Sequence, residues 1–250
     1  MRSTALGILF LTLAAPMAAA FDIEAMSEGE RAAFRSEIRA YLLENPEVLM
    51  EAISVLEARR ERETVARDSE QIERLRDEIF NDGISYVGGD PDGDVTLVEF
   101  LDYRCGFCKR AFPAVEELVA SDGNIRYIIK EFPILGEQST LAAQYAIATK
   151  LVAGDADYKS VHNTLMLHDG AVTEGFLVRT SRELELDHDA ITDAMDSEEV
   201  ALAIGKNHAL AQALNVQGTP GFILGDIILR GFLELEQMRE IVADIRANRG

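Results

Sequence analysis

The stretch FLDYRCGFCKRAFP, residues 100–113, holds both cysteines of the 250-residue chain, Cys105 and Cys108. Two thiols at that spacing could staple the backbone, hold a soft metal, or exchange with another disulfide. A staple would close a ring of four residues, and the chain-entropy account gives such a ring about 2 kcal/mol at most. That is a weak structural device. Two thiolates suit Cu(I), whereas tetrahedral zinc needs four ligands. The four histidines, His162, His168, His188 and His208, are scattered far from the pair and read as surface or helix-packing residues. Redox exchange is the leading reading, and copper binding stands behind it.

The segments around the pair favour exchange. VTLVEFLDY (95–103) is apolar on both faces, as in a buried central strand. A helix is expected from Cys105 to about Ala120, with Pro113 inside it. This places Cys105 at a helix N-terminus, where free N–H groups and the helix dipole favour a thiolate. Arg104, Lys109 and Arg110 are expected to add positive charge beside it. Cys105 is then the exposed nucleophile. Cys108 is the sheltered thiol that resolves a mixed disulfide and releases the partner.

Other elements must hold this turn in place. IRYIIKEF (125–132) reads as a second buried strand, residues 139–214 as short amphipathic helices, FILGDIILRG (222–231) as a hairpin turning at Gly225-Asp226, and 234–248 as a closing helix. The order implies an α/β domain with a mixed sheet covered by helices. GGDPDGD (88–94) reads as a linker.

Residues 27–80 read as two helices. Ser27 and Glu30 have the spacing of a capping box, and Asn45-Pro46 separates the helices as N-cap and first residue of the second. Phe34, Ile38, Tyr41 and Leu42 share one helical face, and Leu49, Ala52, Ile53 and Leu56 share another. A further stripe, Val65, Ile72, Leu75 and Ile79, follows the charged stretch EARRERET (57–64), read as the solvated, flexible middle of a stalk. Such stripes must be covered by copies of the same segment or by the main domain; assembly is the expectation.

MRSTALGILFLTLAAPMAAA reads as a cleavable signal peptide, with Arg2, a short apolar run and a small-residue cleavage site. It implies an oxidising compartment. The formal charge of −20, or −21 without Arg2, excludes nucleic acid as a natural partner. With 48% hydrophobic residues there is ample material for a core.

Four further features resemble the thioredoxin fold of the DsbA family. Pro113 occupies the kink-proline position, Glu99 the buried-acid position, and Thr219-Pro220 the cis-proline loop. An all-helical block interrupts the sheet, at about 137–214. The N-terminal helices and YLLENPEVL extend the resemblance to ScsC-type and related alpha-proteobacterial proteins. The resemblance implies a DsbA-like thioredoxin domain at 83–250, preceded by a signal peptide (1–20) and a helical stalk with linker (21–82) that assembles a homotrimer. It implies catalytic roles for Cys105, Cys108 and Glu99, and substrate contacts by Gly106, Phe107, Thr219 and Pro220. No cofactor or metal is implied. Burial would raise the proton affinity of Glu99 and let it pass protons to and from Cys108.

Two departures from the oxidase DsbA direct the functional expectation. The dipeptide is Gly106-Phe107 rather than proline-histidine, and Thr219 stands where DsbA has valine. Both look closer to the isomerase DsbC. The expected function is a periplasmic disulfide isomerase or reductase acting on unfolded or misoxidised secreted proteins and kept reduced by a DsbD- or ScsB-like membrane protein. The alternative is a dithiol oxidase served by a DsbB-like protein.

Overall fold

Ser27 accepts the Glu30 N–H and Glu30 returns a bond to the Ser27 N–H, which starts α1 (Glu28–Glu44) as expected. The computed structural model describes residues 24–248, so the signal-peptide reading lies outside the described residues. At the end of α1 the Asn45 side-chain amide donates to the Tyr41 carbonyl. Asn45 therefore closes the first helix with its side chain, rather than capping the second. α2 (Glu47–Arg74) follows Pro46 and stays helical and solvent-facing through 57–64.

The chain forms two compact units, one ending at Arg60 and the other beginning at Glu61. In the first, α1 has no buried residue, and Phe34, Ile38, Leu49, Ile53 and Leu56 are exposed. The second contains the end of α2, α3 (Arg76–Phe80) and the sheet. Beside the boundary expected at 82/83, packing carries the end of α2 and α3 into the unit that begins at Glu61. Ile72 and Ile79 are buried against Val98, Phe100 and Ile128, with Leu75 and Phe80 beside them. Arg230 donates two bonds to Asp68, at 2.8 and 3.1 Å, fixing that end of α2 to the sheet. The stripe with Ile72, Leu75 and Ile79 thus belongs to the unit that holds the sheet, although Val65 stays exposed.

The sheet comprises β1 (Tyr86–Gly89), β2 (Val95–Leu101), β3 (Ile125–Glu131), β4 (Gly221–Leu224) and β5 (Ile227–Arg230), in the order β1-β3-β2-β4-β5. Only β2 and β3 are parallel; Glu99 pairs with Ile129 and Leu101 with Glu131. The linker expected at 88–94 is corrected at its start, because Gly88 and Gly89 complete β1 on the edge of β3. Gly89 has a φ of +67°, and a Cβ there would lie 2.2 Å from the Ile125 carbonyl oxygen, so the strand can end there only on glycine.

Side-chain alternation splits the core into two layers. Leu97, Leu101, Tyr127 and Ile129 face α4 (Gly106–Asp122), α5 (Glu137–Ala153) and α6 (Asp155–Leu167). The opposite layer receives α2, α3 and α9 (Glu198–Ala213). With α7 (Glu174–Glu183) and α8 (His188–Met195), helices α5, α6 and α9 form the expected all-helical insertion between β3 and β4; α10 (Leu235–Ala247) closes the chain.

Candidate active site around Cys105 and Cys108

The turn from β2 into α4 is held by Asp102. Its buried carboxylate accepts the Arg104 N–H at 2.7 Å, the Ile134 N–H at 2.8 Å and the Leu135 N–H at 3.0 Å. Its carbonyl accepts the Cys105 N–H. Cys105 then takes the N-cap position, as expected. It is less open than a freely exposed nucleophile, with 7% of its surface accessible, against 0% for Cys108. Its S–H donates to the Thr219 carbonyl at 3.1 Å, and the Thr219–Pro220 bond is cis. The two halves of the expected site therefore meet at the nucleophile.

Both cysteines are free thiols. The Cys108 thiol donates to the Cys105 sulfur and, with the Thr219 side chain and the N–H groups of Cys108 and Phe107, outweighs burial to hold Cys105 at about 5. Burial pushes Cys108 far up, and the Cys105 contact and the Glu99 charge add to that. One sulfur is a thiolate at neutral pH and the other keeps its proton. Between them, Gly106 and Phe107 are exposed; a Cβ on Gly106 would meet no atom within 4 Å, and Phe107 is 58% accessible.

Glu99 lies in the core layer that contains the pair and is 1% accessible. The Tyr127 hydroxyl donates to its Oε2 at 2.5 Å, while Oε1 has no partner. Burial raises Glu99 to about 7; the Tyr127 bond opposes this, and the Cys105 charge adds to it. An acid with this affinity can hold or release a proton near neutral pH.

The expectation that Arg104, Lys109 and Arg110 stabilise the thiolate is corrected. Lys109 donates to the carbonyls of Leu165, Met166 and His168, at 2.9, 3.1 and 2.6 Å, and so caps the C-terminus of α6. Arg104 donates to the Gly170 carbonyl. The Arg110 guanidinium lies 4.8 Å from the Phe232 ring centre and 5.7 Å from that of Phe107. These bases bind backbone and rings, and the thiol's charge is held by hydrogen bonds.

Sequence reasoning missed Asp102, Tyr127 and a second buried acid, Glu131. Strand alternation could have found Glu131, since Tyr127, Ile129 and Glu131 share the face of Glu99 once β2 and β3 are paired. The histidines lie in helix packing: His162 is buried beside Tyr103, His168 stacks on Phe176, His188 bonds Ser181 and His208 packs on Phe132. Among the described residues no group of three or more His, Cys, Asp or Glu is placed to hold a metal ion.

Residues 81–244 match the family model described as Thioredoxin, and residues 30–63 match the Copper resistance protein ScsC N-terminal domain. The chain is similar to a thioredoxin-like oxidoreductase from Silicibacter pomeroyi, 40% identical, with a TM-score of 0.65 over 69% of this chain and 98% of that one. The thiol-disulfide exchange protein alpha-DsbA2 from Wolbachia pipientis is 27% identical, with a TM-score of 0.68 over 72% and 97%. A linker-deleted ScsC from Proteus mirabilis is 25% identical, with a TM-score of 0.66 over 91% and 100%. The first curated relatives are Na(+)/H(+) antiporters of Salinispora arenicola and Salinispora tropica, each 29% identical over the matched part; the chain spans 24% and 21% of their lengths.

Proposed function

The chain belongs to the thioredoxin family, among ScsC- and DsbA-like thiol-disulfide oxidoreductases, and from that premise we propose that it is a periplasmic disulfide isomerase and reductase of secreted proteins. The observation that carries this reading is the asymmetry of the pair: a thiolate-forming Cys105 opposite the Thr219 carbonyl and a fully buried, protonated Cys108.

The Cys105 thiolate attacks one sulfur of a substrate disulfide; a mixed S–S bond forms, and the other substrate sulfur leaves with the electron pair and takes a proton. A different substrate thiol, once it gives up its proton, attacks the substrate sulfur of the mixed disulfide, forms a new S–S pairing and expels Cys105 as the thiolate, which is isomerisation and transfers no net electrons. Alternatively Cys108 gives its proton to Glu99 and attacks Cys105. The substrate then leaves reduced by two electrons, and the pair is a disulfide. Glu99 thus accepts or returns the proton of Cys108. Exposed Gly106 and Phe107 and half-buried Thr219, backed by buried Pro220, form the contact surface for substrate, with exposed Ile134 and Leu135 on the loop held by Asp102.

A DsbD- or ScsB-like membrane protein would return electrons to the pair. The exposed Phe34/Ile38 and Leu49/Ile53/Leu56 faces would assemble the chain into a homotrimer, and several sites around one substrate raise the effective concentration for recapture.

One observation favours oxidation instead. A Cys105 near 5 is a stable thiolate, which favours the reduced form and makes the disulfide a better oxidant. The two readings separate by assaying refolding of a scrambled multi-disulfide protein beside oxidation of a reduced dithiol peptide. Recovery of native pairings with slow peptide oxidation supports the isomerase. Rapid peptide oxidation without recovery assigns a DsbA-like oxidase, with a DsbB-like partner.

A further inference from the structure

Arg110 is a base on the rim of the redox pair, held by aromatic rings instead of by an acid. It sits on α4 one turn beyond Phe107, on the same face of the helix, and both residues are exposed. Its guanidinium lies over the Phe107 ring at 5.7 Å and over the Phe232 ring at 4.8 Å. Phe232 follows Gly231, whose N–H donates to the Pro220 carbonyl at 3.0 Å. Arg110 therefore bridges the helix that carries the cysteines and the segment tied to the cis-proline loop. Those are the two flanks of the Cys105 sulfur.

The neighbouring bases are occupied. Lys109 uses its three N–H donors on the carbonyls at the end of α6, and Arg104 donates to the Gly170 carbonyl. Elsewhere in the same unit Arg230 pairs with Asp68, and Arg246 with Asp94 and Asp122. Among the described residues the Arg110 side chain enters no ion pair and no hydrogen bond; its contacts are the two rings. Rings attract the guanidinium through its charge and leave its five N–H donors, set in a planar fork, open to an incoming group.

That fork matches the two oxygens of a carboxylate, with which it can form a pair of parallel charge-assisted bonds. Five residues of helix separate Arg110 from Cys105, about 7.5 Å along the axis. An extended peptide advances about 3.3 Å per residue. A carboxylate that reaches Arg110 while its chain is joined to Cys105 therefore lies about two residues from the substrate cysteine.

We propose that Arg110 is a specificity-determining residue that recognises an Asp or Glu side chain about two residues from the reacting cysteine of a polypeptide substrate. The inference rests on the reading of Cys105 as the nucleophile of an exchange enzyme and names the substrates it favours. The occupant is the substrate chain itself, because a chain that brings a sulfur to Cys105 must pass Phe107. With a net charge of −20 the protein as a whole repels acidic chains, so an unpaired arginine at this rim selects where such a chain can be held.

The test uses the reduced full chain and two pairs of single-cysteine peptides, capped at both ends and activated as mixed disulfides with pyridine-2-thiol. One pair carries Glu or Gln two residues before the cysteine, and the other carries it two residues after. The Cys105 thiolate attacks the peptide sulfur and a peptide–Cys105 disulfide forms. Pyridine-2-thiolate leaves with the electron pair, takes a proton and is read by its absorbance. In one of the pairs the wild type should react about fivefold faster with the Glu peptide than with its Gln partner, the upper end for an exposed ion pair. Arg110→Gln should bring that ratio to about one. Arg110→Lys, which keeps the charge without the fork, should leave about twofold. Each ratio compares two substrates of one protein, so a change in the thiolate itself cancels. A wild-type ratio near one in both pairs overturns the proposal, as does a ratio that Arg110→Gln leaves in place. Cys105→Ala keeps the two readings apart. If it releases pyridine-2-thiol at the wild-type rate, the assignment of the nucleophile fails and the role of Arg110 with it; if it is inert while the wild-type ratio is near one, only the role of Arg110 fails.

Discussion

The Cys105 sulfur lies 3.1 Å from the Thr219 carbonyl oxygen, across 114 residues of sequence. That carbonyl accepts from the thiol, while the Thr219 side chain helps to hold Cys105 down at about 5, so the residue before Pro220 contacts the nucleophile in a way that favours its ionised form.

Alkylation should report the asymmetry of the pair directly. At pH 6 iodoacetamide should label Cys105 readily and leave Cys108 unmodified, since Cys105 titrates at about 5 and Cys108 is pushed far up. Cys105→Ala should abolish exchange, and Cys108→Ala should accumulate mixed disulfides. Mass spectrometry after labelling decides, and preferential labelling of Cys108 would reverse the assignment.

Glu99 gives stability a pH dependence of known sign. Its affinity is raised in the fold, from 4.5 to about 7, so the native state binds the proton more tightly than the unfolded chain. This contribution is full below about pH 4.5 and is lost as pH rises to about 7, at a cost of roughly 3 kcal/mol. Glu99→Gln should therefore melt like the wild type at pH 4.5 and above it at pH 8. Its turnover should fall about tenfold or more as the relay to Cys108 is lost. Calorimetry at the two pH values and an insulin-reduction assay check both parts.

Arg230→Ala should leave Asp68 as a mostly buried, unpaired charge. Because the Arg230 side chain is 35% accessible, the loss should be about 1–2 kcal/mol, below that of a fully buried pair. Urea unfolding measures it. An unchanged midpoint would mean that Ile72 and Ile79 hold this end of α2 unaided.

Placing a charge on the exposed N-terminal stripes tests assembly. Ile38→Asp with Ile53→Asp should convert an oligomer to monomers by light scattering. Reduction of simple disulfides should survive, and recovery of scrambled substrates should fall severalfold as multivalency is lost. A wild-type chain that is already monomeric would refute this.

Elements with strong local signals could be read from the chain: the two-faced apolar strands β2 and β3, the hairpin at Gly225-Asp226, the Ser27 cap and Cys105 at the start of α4, whereas Glu99 and Pro220 were reached through the family resemblance. β1 could not, because YVGG has two glycines and takes its strand form from pairing with β3. The stripe with Ile72 and Ile79 showed that something must cover it, but helical periodicity carries no information about what. Lys109 and Arg104 were misread because their partners are backbone carbonyls 56 to 66 residues away, which no charge pattern reveals. Glu131 passed as the polar end of a strand; only register puts it beside the acid under the pair.

The open space at Gly106 and the outward ring of Phe107 give the site an unusual freedom. The dipeptide between the cysteines influences how firmly the couple holds its electrons, yet neither residue is built into the core. Selection or an engineer can exchange these two side chains while the sheet, the acids beneath it and the proline loop stay as they are. Electron affinity is therefore a modular trait of this scaffold.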